Sequence, residues 1–256
     1  MMKTYLINLD QDTARLAFFA STFQRLGLPF ERVPGIDGRL FSEADYQAFM
    51  RARPRHDKTW LRGQMGCFLS HHAVWEKIAN GEDRFCAVFE DDIHASDDLK
   101  KILADDQWIG DDIDIIRLET STNRLLLRPA AVLSRAGRGA FAVCSTSWCA
   151  GAYLIHRRTA QQLLALPARD HEPADVLLYN FEDSAIAGKL KILQFDPAPC
   201  TQDKHLVTGS IQFSSNIESA STQPGTLKRL FRQLSPMAVG RAIYRTLRGY
   251  RRIGFF

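Results

Sequence analysis

The chain contains no apolar run approaching the roughly 20 residues that a membrane-spanning helix needs, so an integral helical membrane protein is excluded. The apolar stretch after Met1 is too short for a secretory signal and reads instead as a first strand, Thr4 to Leu9. The five cysteines, Cys67, Cys86, Cys144, Cys149 and Cys200, are odd in number and scattered. None forms a zinc-type pair, so a disulfide-stapled or zinc-ribbon fold is not indicated, and reduced, mostly buried thiols of a cytosolic protein are expected. Internal repeats and low-complexity tracts are also missing. One sign of charge is missing locally: from Ser219 to Phe256 there is no acidic residue, against eight Lys and Arg. The rest of the chain carries 25 basic and 29 acidic residues. A mildly acidic body therefore carries a strongly basic C-terminal segment.

What is present is enough apolar material, 45% of 256 residues, for a real core in one large α/β domain or two small ones. Thr13 to Leu26 reads as a helix, stopped by Gly27 and followed by Pro29. Phe30 to Val33 reads as a short strand. Ser42 looks like the cap of a helix from Glu43 to about Met50. Arg51 to Lys58 is polar, contains Pro54 and reads as a loop. Gly66 to Asn80 reads as a helix and Phe85 to Phe89 as a strand. Further strands are expected at Ile113–Leu118, Ala140–Cys144, Ala152–Ile155 and Leu190–Phe195, with helices at Asp97–Leu103 and Arg158–Leu166. Alternation of strand and helix predicts a mainly parallel, helix-covered sheet. Thr208 to Thr222 reads as a polar linker.

The most informative stretch is Ala87-Val88-Phe89-Glu90-Asp91-Asp92-Ile93. An apolar strand delivers three carboxylates to its carboxyl end, where open α/β sheets hold ligands. Adjacent anions repel, and a divalent cation relieves that repulsion with oxygen ligands that suit Mg²⁺ or Mn²⁺. In an extended segment, residues two apart share a face. Glu90 and Asp92 are therefore placed toward one ion, with Asp92 as direct ligand and Glu90 as second ligand or ribose contact. Asp91 has no fixed role on this argument, and a structural acidic turn is the alternative for each.

Several motifs occur in the order seen in glycosyltransferase family 25. They are Ile7-Asn8-Leu9-Asp10 with Arg15, Gly35-Ile36-Asp37-Gly38, Gly66-Cys67-Phe68-Leu69-Ser70-His71 and Phe89-Glu90-Asp91-Asp92. Ala152-Tyr153-Leu154-Ile155, Pro173-Ala174-Asp175 and Pro199-Cys200-Thr201-Gln202 follow in turn. Over Lys3 to Val207 the chain most resembles the bacterial lipooligosaccharide β-galactosyltransferases of that family. The resemblance implies a GT-A-type, Rossmann-like fold, a UDP-sugar donor (usually UDP-galactose), a divalent metal and inversion at the anomeric carbon. It implies that Glu90-Asp91-Asp92 stands where such folds carry Asp-x-Asp. By resemblance, Asn8, Asp10 and Arg15 contact uracil, ribose or diphosphate, Asp37 belongs to the loop beneath the base, and Ser70 and His71 lie near the donor. His205 matches a late family histidine and is a further candidate ligand. Asp175 is the expected base for the acceptor hydroxyl, with Asp183 and Glu182 as alternatives; a helix cap is the competing role for Asp175. Cys67 has no catalytic partner pattern.

In the basic segment, Leu227, Leu230, Phe231 and Leu234 follow helical spacing, as do Ile243, Leu247 and Tyr250. One or two cationic amphipathic helices over 227–256 are expected on an anionic membrane, with Phe255 and Phe256 inserted into the interface. Nucleic acid is not an expected partner, because the body is acidic and no recognised module accompanies the tail. The expectation is a cytoplasmic enzyme, peripheral on the inner face of a bacterial inner membrane, that acts on a lipid-linked oligosaccharide. A phosphoesterase, a nucleotidyltransferase or a non-catalytic sugar-nucleotide binder would use the same acidic trio.

Overall fold

The computed structural model describes residues 1–53, 59–121, 123–206 and 249–255. The chain opens with β1 (Lys3–Asn8), α1 (Thr13–Leu26) and β2 (Glu31–Pro34). Then come α2 (Glu43–Arg51), α3 (Arg62–Asn80), β3 (Phe85–Glu90), β4 (Ile93–Ala95) and α4 (Leu99–Ile102). β5 (Ile115–Arg117), β6 (Glu119–Thr120), β7 (Arg124–Arg135), β8 (Arg138–Val143) and β9 (Ala152–His156) form the middle of the chain. α5 (Arg157–Leu164), α6 (Ala174–Tyr179), β10 (Ile192–Asp196), β11 (Cys200–Gln202) and β12 (Tyr250–Arg252) complete it.

Among the described residues, nine strands form one sheet in the order β12-β7-β8-β10-β5-β9-β3-β1-β2, and β4-β11-β6 form a small second sheet. β1 pairs in parallel with β2 and β3, and β10 with β5. β9 lies between β3 and β5 and runs against both. β2, β1, β3, β5 and β10 therefore share one direction, which bears out the expected α/β class and mainly parallel sheet. The far side, from β8 to β12, is antiparallel. From β1 the chain crosses to β2 on one side and later to β3 on the other. The carboxyl ends of β1 and β3 thus flank a switch point, where α/β sheets leave a crevice.

Period two sorts the core. Leu6, Phe85, Ala87 and Phe89 pack with Phe19 and Phe23 of α1. Tyr5, Ile7, Cys86 and Val88 pack with Phe68, Val74 and Trp75 of α3. Local signals hold at several boundaries. Gly27 ends α1 in the left-handed region at φ 66°. Ser42 accepts the Asp45 N–H at the start of α2. α3 begins a turn before Gly66 because the Gln64 side chain accepts the Leu61 N–H at 2.9 Å.

The expected amphipathic tail is corrected at its end. Tyr250–Arg252 is an edge strand paired with Arg124–Leu126 of β7, and Phe255 bridges to Ala198 instead of facing outward. Residues 207–248, which hold the expected linker and the rest of the basic segment, lie outside the described residues, as do 54–58 of the expected loop. Among the described residues no helix is long and apolar enough to cross a membrane.

Candidate active site

The carboxyl ends of β1 and β3 open into a cleft of about 730 Å³, with the Gly35–Gly38 loop and α3 as its walls. The loop can lie against the helix only because both contact points lack a side chain. A Cβ on Gly38 would stand 1.7 Å from the Arg62 carbonyl oxygen, and one on Gly66 2.4 Å from that of Ile36. Ser70 ties the two together, donating to the Gly66 carbonyl at 2.7 Å and accepting the Ile36 N–H at 2.8 Å.

The acidic run divides by face. Cys86, Val88 and Glu90 alternate toward α3, so Glu90 meets residues of that helix. Asp91 turns the opposite way, toward α1. It accepts from Arg15 at 2.8 Å and from Asn8 Nδ2 at 2.8 Å, which makes it the anchor of the β1–α1 junction. Asp92 returns to the cleft and is almost fully buried. Glu90 Oε2 and Asp92 Oδ1 both face the Gln202 Nε2 amide, at 2.9 and 3.4 Å. The shared face expected for residues 90 and 92 is thus present.

A buried chain of donors fixes Glu90. Trp75 Nε1–H donates to Tyr153 Oη at 2.9 Å, and Tyr153 Oη lies 2.9 Å from His71 Nδ1. Among the described residues the Tyr153 hydroxyl has no other acceptor in reach, so it donates to Nδ1. That leaves the His71 proton on Nε2, 3.3 Å from Glu90 Oε1. Cys67, one turn earlier on α3, places its thiol 3.7 Å from the same oxygen. Burial alone would raise the Glu90 carboxyl, but His71, Lys204 and Cys67 together hold it below its ordinary value. Burial, and then the charge of Glu90, push Asp92 up to about 7; the charges of Arg15 and Lys204 pull the other way but do not prevail. Behind the cleft, Glu119 accepts the Gly151 N–H at 2.6 Å, and burial pushes it up to about 8.

The donor atoms suit a hard divalent cation. Two carboxylates converge on one amide, and the buried Gln202 Oε1 has no hydrogen-bond partner. Cys67, His71 and Glu90 also bring ligand atoms within 4.8 Å of one another. With its Nε2 protonated, however, His71 acts there as a donor and not as a ligand.

The other sequence-derived candidates fall in different places. Arg15 and Asp37 line the cleft, as do Asn8, Ser70 and His71. Asp37 caps the turn after it, held down to about 2 by Arg39 and Gln11. Asp10 is exposed and pairs with Arg32 at 2.6 Å, outside the cleft lining. Asp175 sits in the first turn of α6, after the cap position of Pro173, and accepts the Cys149 N–H at 3.2 Å. It lies close enough for its charge to add to burial and Glu90 in raising the Cys67 thiol. Asp183 and Glu182 belong to an exposed turn organised by Asn180, so neither reaches the cleft. His205 does not join Glu90 and Asp92. Its Nε2 lies 3.6 Å from the Cys149 thiol, because the turn Asp203–His205 carries it past the cleft. The side chains from this segment that do line the cleft are Gln202 and Lys204, neither of them a sequence-derived candidate. The advance signal for Gln202 was the motif Pro199 to Gln202, and for Lys204 only its place beside His205.

A family model described as glycosyltransferase family 25 (LPS biosynthesis protein) matches residues 1–178. The lacto-N-neotetraose biosynthesis glycosyltransferase LgtB of Neisseria meningitidis serogroup B is 30% identical over 215 residues, covering 80% of this chain and 76% of that protein. The lipooligosaccharide biosynthesis protein lic2B of Haemophilus influenzae is 25% identical over 260 residues, 95% of each chain. A solved glycosyltransferase involved in glycosylation of the major capsid of PBCV-1 aligns at 10% identity and TM-score 0.43, over 84% of this chain and 95% of that one.

Proposed function

The chain belongs to glycosyltransferase family 25, and on that premise we propose a metal-dependent, inverting transfer of a hexose, galactose from UDP-galactose, to a sugar of lipooligosaccharide or lipopolysaccharide. The observation that carries this reading is the convergence of Glu90 and Asp92 in a cleft at the ends of β1 and β3. The names of the Neisseria and Haemophilus relatives support the acceptor class.

In this reading Glu90 and Asp92 would hold Mn²⁺ or Mg²⁺. Such a cation supplies positive charge opposite the diphosphate that leaves the sugar. The chain's own residues do the rest. Lys204, at the exposed mouth of the cleft, faces the carboxylates and adds a cation beside the phosphates. At the cleft wall Asn8 and Arg15 hold Asp91 in hydrogen bonds and balance its charge, which leaves Glu90 and Asp92 for the cation. Asp37 and its loop bound the nucleoside end. Asp175 takes the acceptor hydroxyl proton as that oxygen attacks the anomeric carbon from the face opposite the diphosphate.

The test is a radiolabelled sugar-nucleotide screen with Mn²⁺ that reads both hydrolysis and transfer to an acceptor panel. Transfer from UDP-galactose is expected. Hydrolysis with no transfer would favour a phosphoesterase, and UDP binding without turnover a non-catalytic binder.

The eight basic residues after Ser219 support attachment to an anionic membrane, on the cytoplasmic face where a lipid-linked acceptor is built. Because Tyr250–Arg252 is a sheet strand, truncation is a poor test of that attachment. Neutralising Lys228, Arg229, Arg232, Arg241, Arg245 and Arg248 to Gln is expected to release the protein from phosphatidylglycerol vesicles. Retained binding would refute the attachment.

A further inference from the structure

Gln202 occupies an unusual position. Its side chain is buried, and its Nε2 lies between two carboxylate oxygens, 2.9 Å from Glu90 Oε2 and 3.4 Å from Asp92 Oδ1. The nitrogen faces them, since the amide oxygen there would meet the anionic Glu90 at hydrogen-bond distance. The opposite end of the amide, Oε1, is buried without a partner. Buried carbonyl oxygens are rarely left so. The amide packs closely against the backbone of Gly151. Gly151 has no side chain, and a Cβ there would come within 2.8 Å of Nε2 and 3.1 Å of the amide carbon. The backbone of Gln202 is fixed, because Cys200–Gln202 is the middle strand of the small sheet.

We propose that Gln202 is an exchangeable occupant of the cation site: its NH₂ group bridges Glu90 and Asp92 while the site is free of metal, and when a divalent cation enters, the amide turns over and Oε1 becomes a third oxygen ligand. The inference rests on the metal-dependent reading above and adds to it a residue that carries no charge. One side chain then has two compatible states. As donor it keeps two buried carboxylates from facing each other unscreened, and as acceptor it satisfies the oxygen that is otherwise orphaned. Hard cations accept amide oxygens as readily as carboxylates.

The test measures Mn²⁺ affinity without donor or turnover, from the electron paramagnetic resonance signal of the free ion, in the full-length protein. Gln202→Leu removes both ends of the amide and is expected to weaken Mn²⁺ binding about tenfold or more. Gln202→Glu supplies an anionic oxygen at the same place and is expected to tighten it by a similar factor. In the wild-type protein, Mg²⁺ is expected to shift the side-chain ¹⁵NH₂ resonances of Gln202, assigned through Gln202→Leu. Unchanged or tighter Mn²⁺ binding by Gln202→Leu overturns the inference, as do Gln202 resonances unmoved at saturating Mg²⁺. These outcomes leave the cation site itself standing. Wild-type protein that binds no Mn²⁺, or that binds it as well after Asp92→Asn, removes the site and the inference together.

Discussion

Strands β3 and β7 belong to the same sheet and treat charge in opposite ways. β3 is buried at five of its six residues, between α1 on one face and α3 on the other. β7 is buried at only two of twelve. Its Arg128 is exposed to water, where a charge costs little. At the end of β3 every charge has been given a partner: Asp91 has Arg15 and Asn8, and Glu90 has His71 and Gln202. Asp92 shares only the longer end of the Gln202 bridge and is pushed up to about 7. The covered half makes an anion expensive, so an anion kept there marks the site. The open half carries charge without consequence.

The largest test of that contrast is Asp92→Asn. It keeps the shape and removes the charge, and transfer is expected to fall on the order of a thousandfold while the circular dichroism spectrum is retained. Near-normal transfer would remove Asp92 from the reaction. Tyr153→Phe attacks the support of Glu90 instead. It leaves Trp75 Nε1 and His71 Nδ1 unpaired, for an expected loss of about 1–3 kcal/mol in urea unfolding and about tenfold in transfer rate. A stability loss with no change in rate would mean that the donor chain is packing alone.

The pH dependence sharpens the comparison further. Folded Asp92 and Glu119 keep their protons up to about 7 and about 8, against about 3.9 and 4.3 when unfolded. The folded state therefore binds more protons, and stability without metal is expected to fall as pH rises from about 4 to 8. Urea midpoints of chelator-treated protein at pH 5, 6.5 and 8 read this directly, and Mn²⁺ should recover most of the loss at pH 8. A flat profile would mean that the carboxylates are not desolvated. The smallest effect belongs to β7. Val132 is 44% exposed, and Val132→Lys should change stability by less than about 0.5 kcal/mol and leave transfer untouched.

The covered half was legible in the sequence because both of its periods are clean. The helix over Thr13 to Leu26 has its Gly stop, and the apolar run before Glu90 alternates between two cores. β7 was not legible. Pro129, in a stretch punctuated by Arg124, Arg128 and Arg135, argues against a strand, and the sheet accommodates it through register shifts between Leu127 and Leu133. β12 was hidden by apparent helical spacing that runs on to Tyr250, although Gly249, at φ 81°, breaks the pattern one residue earlier. In the site, carboxylates are conspicuous and an amide is not. Gln202 escaped for that reason, while His205 was chosen for its chemistry in a segment whose direction only the fold reveals.

The return of Tyr250–Arg252 to β7 has a practical consequence. Leu206 follows the turn after Gln202, and Gly249 precedes β12 at the edge of the large sheet. A single backbone cut anywhere in 207–248 would therefore leave the last residues docked by strand pairing and by the Phe255–Ala198 bridge. Such a clipped protein would still migrate as one particle under native conditions and separate into two fragments only in denaturant.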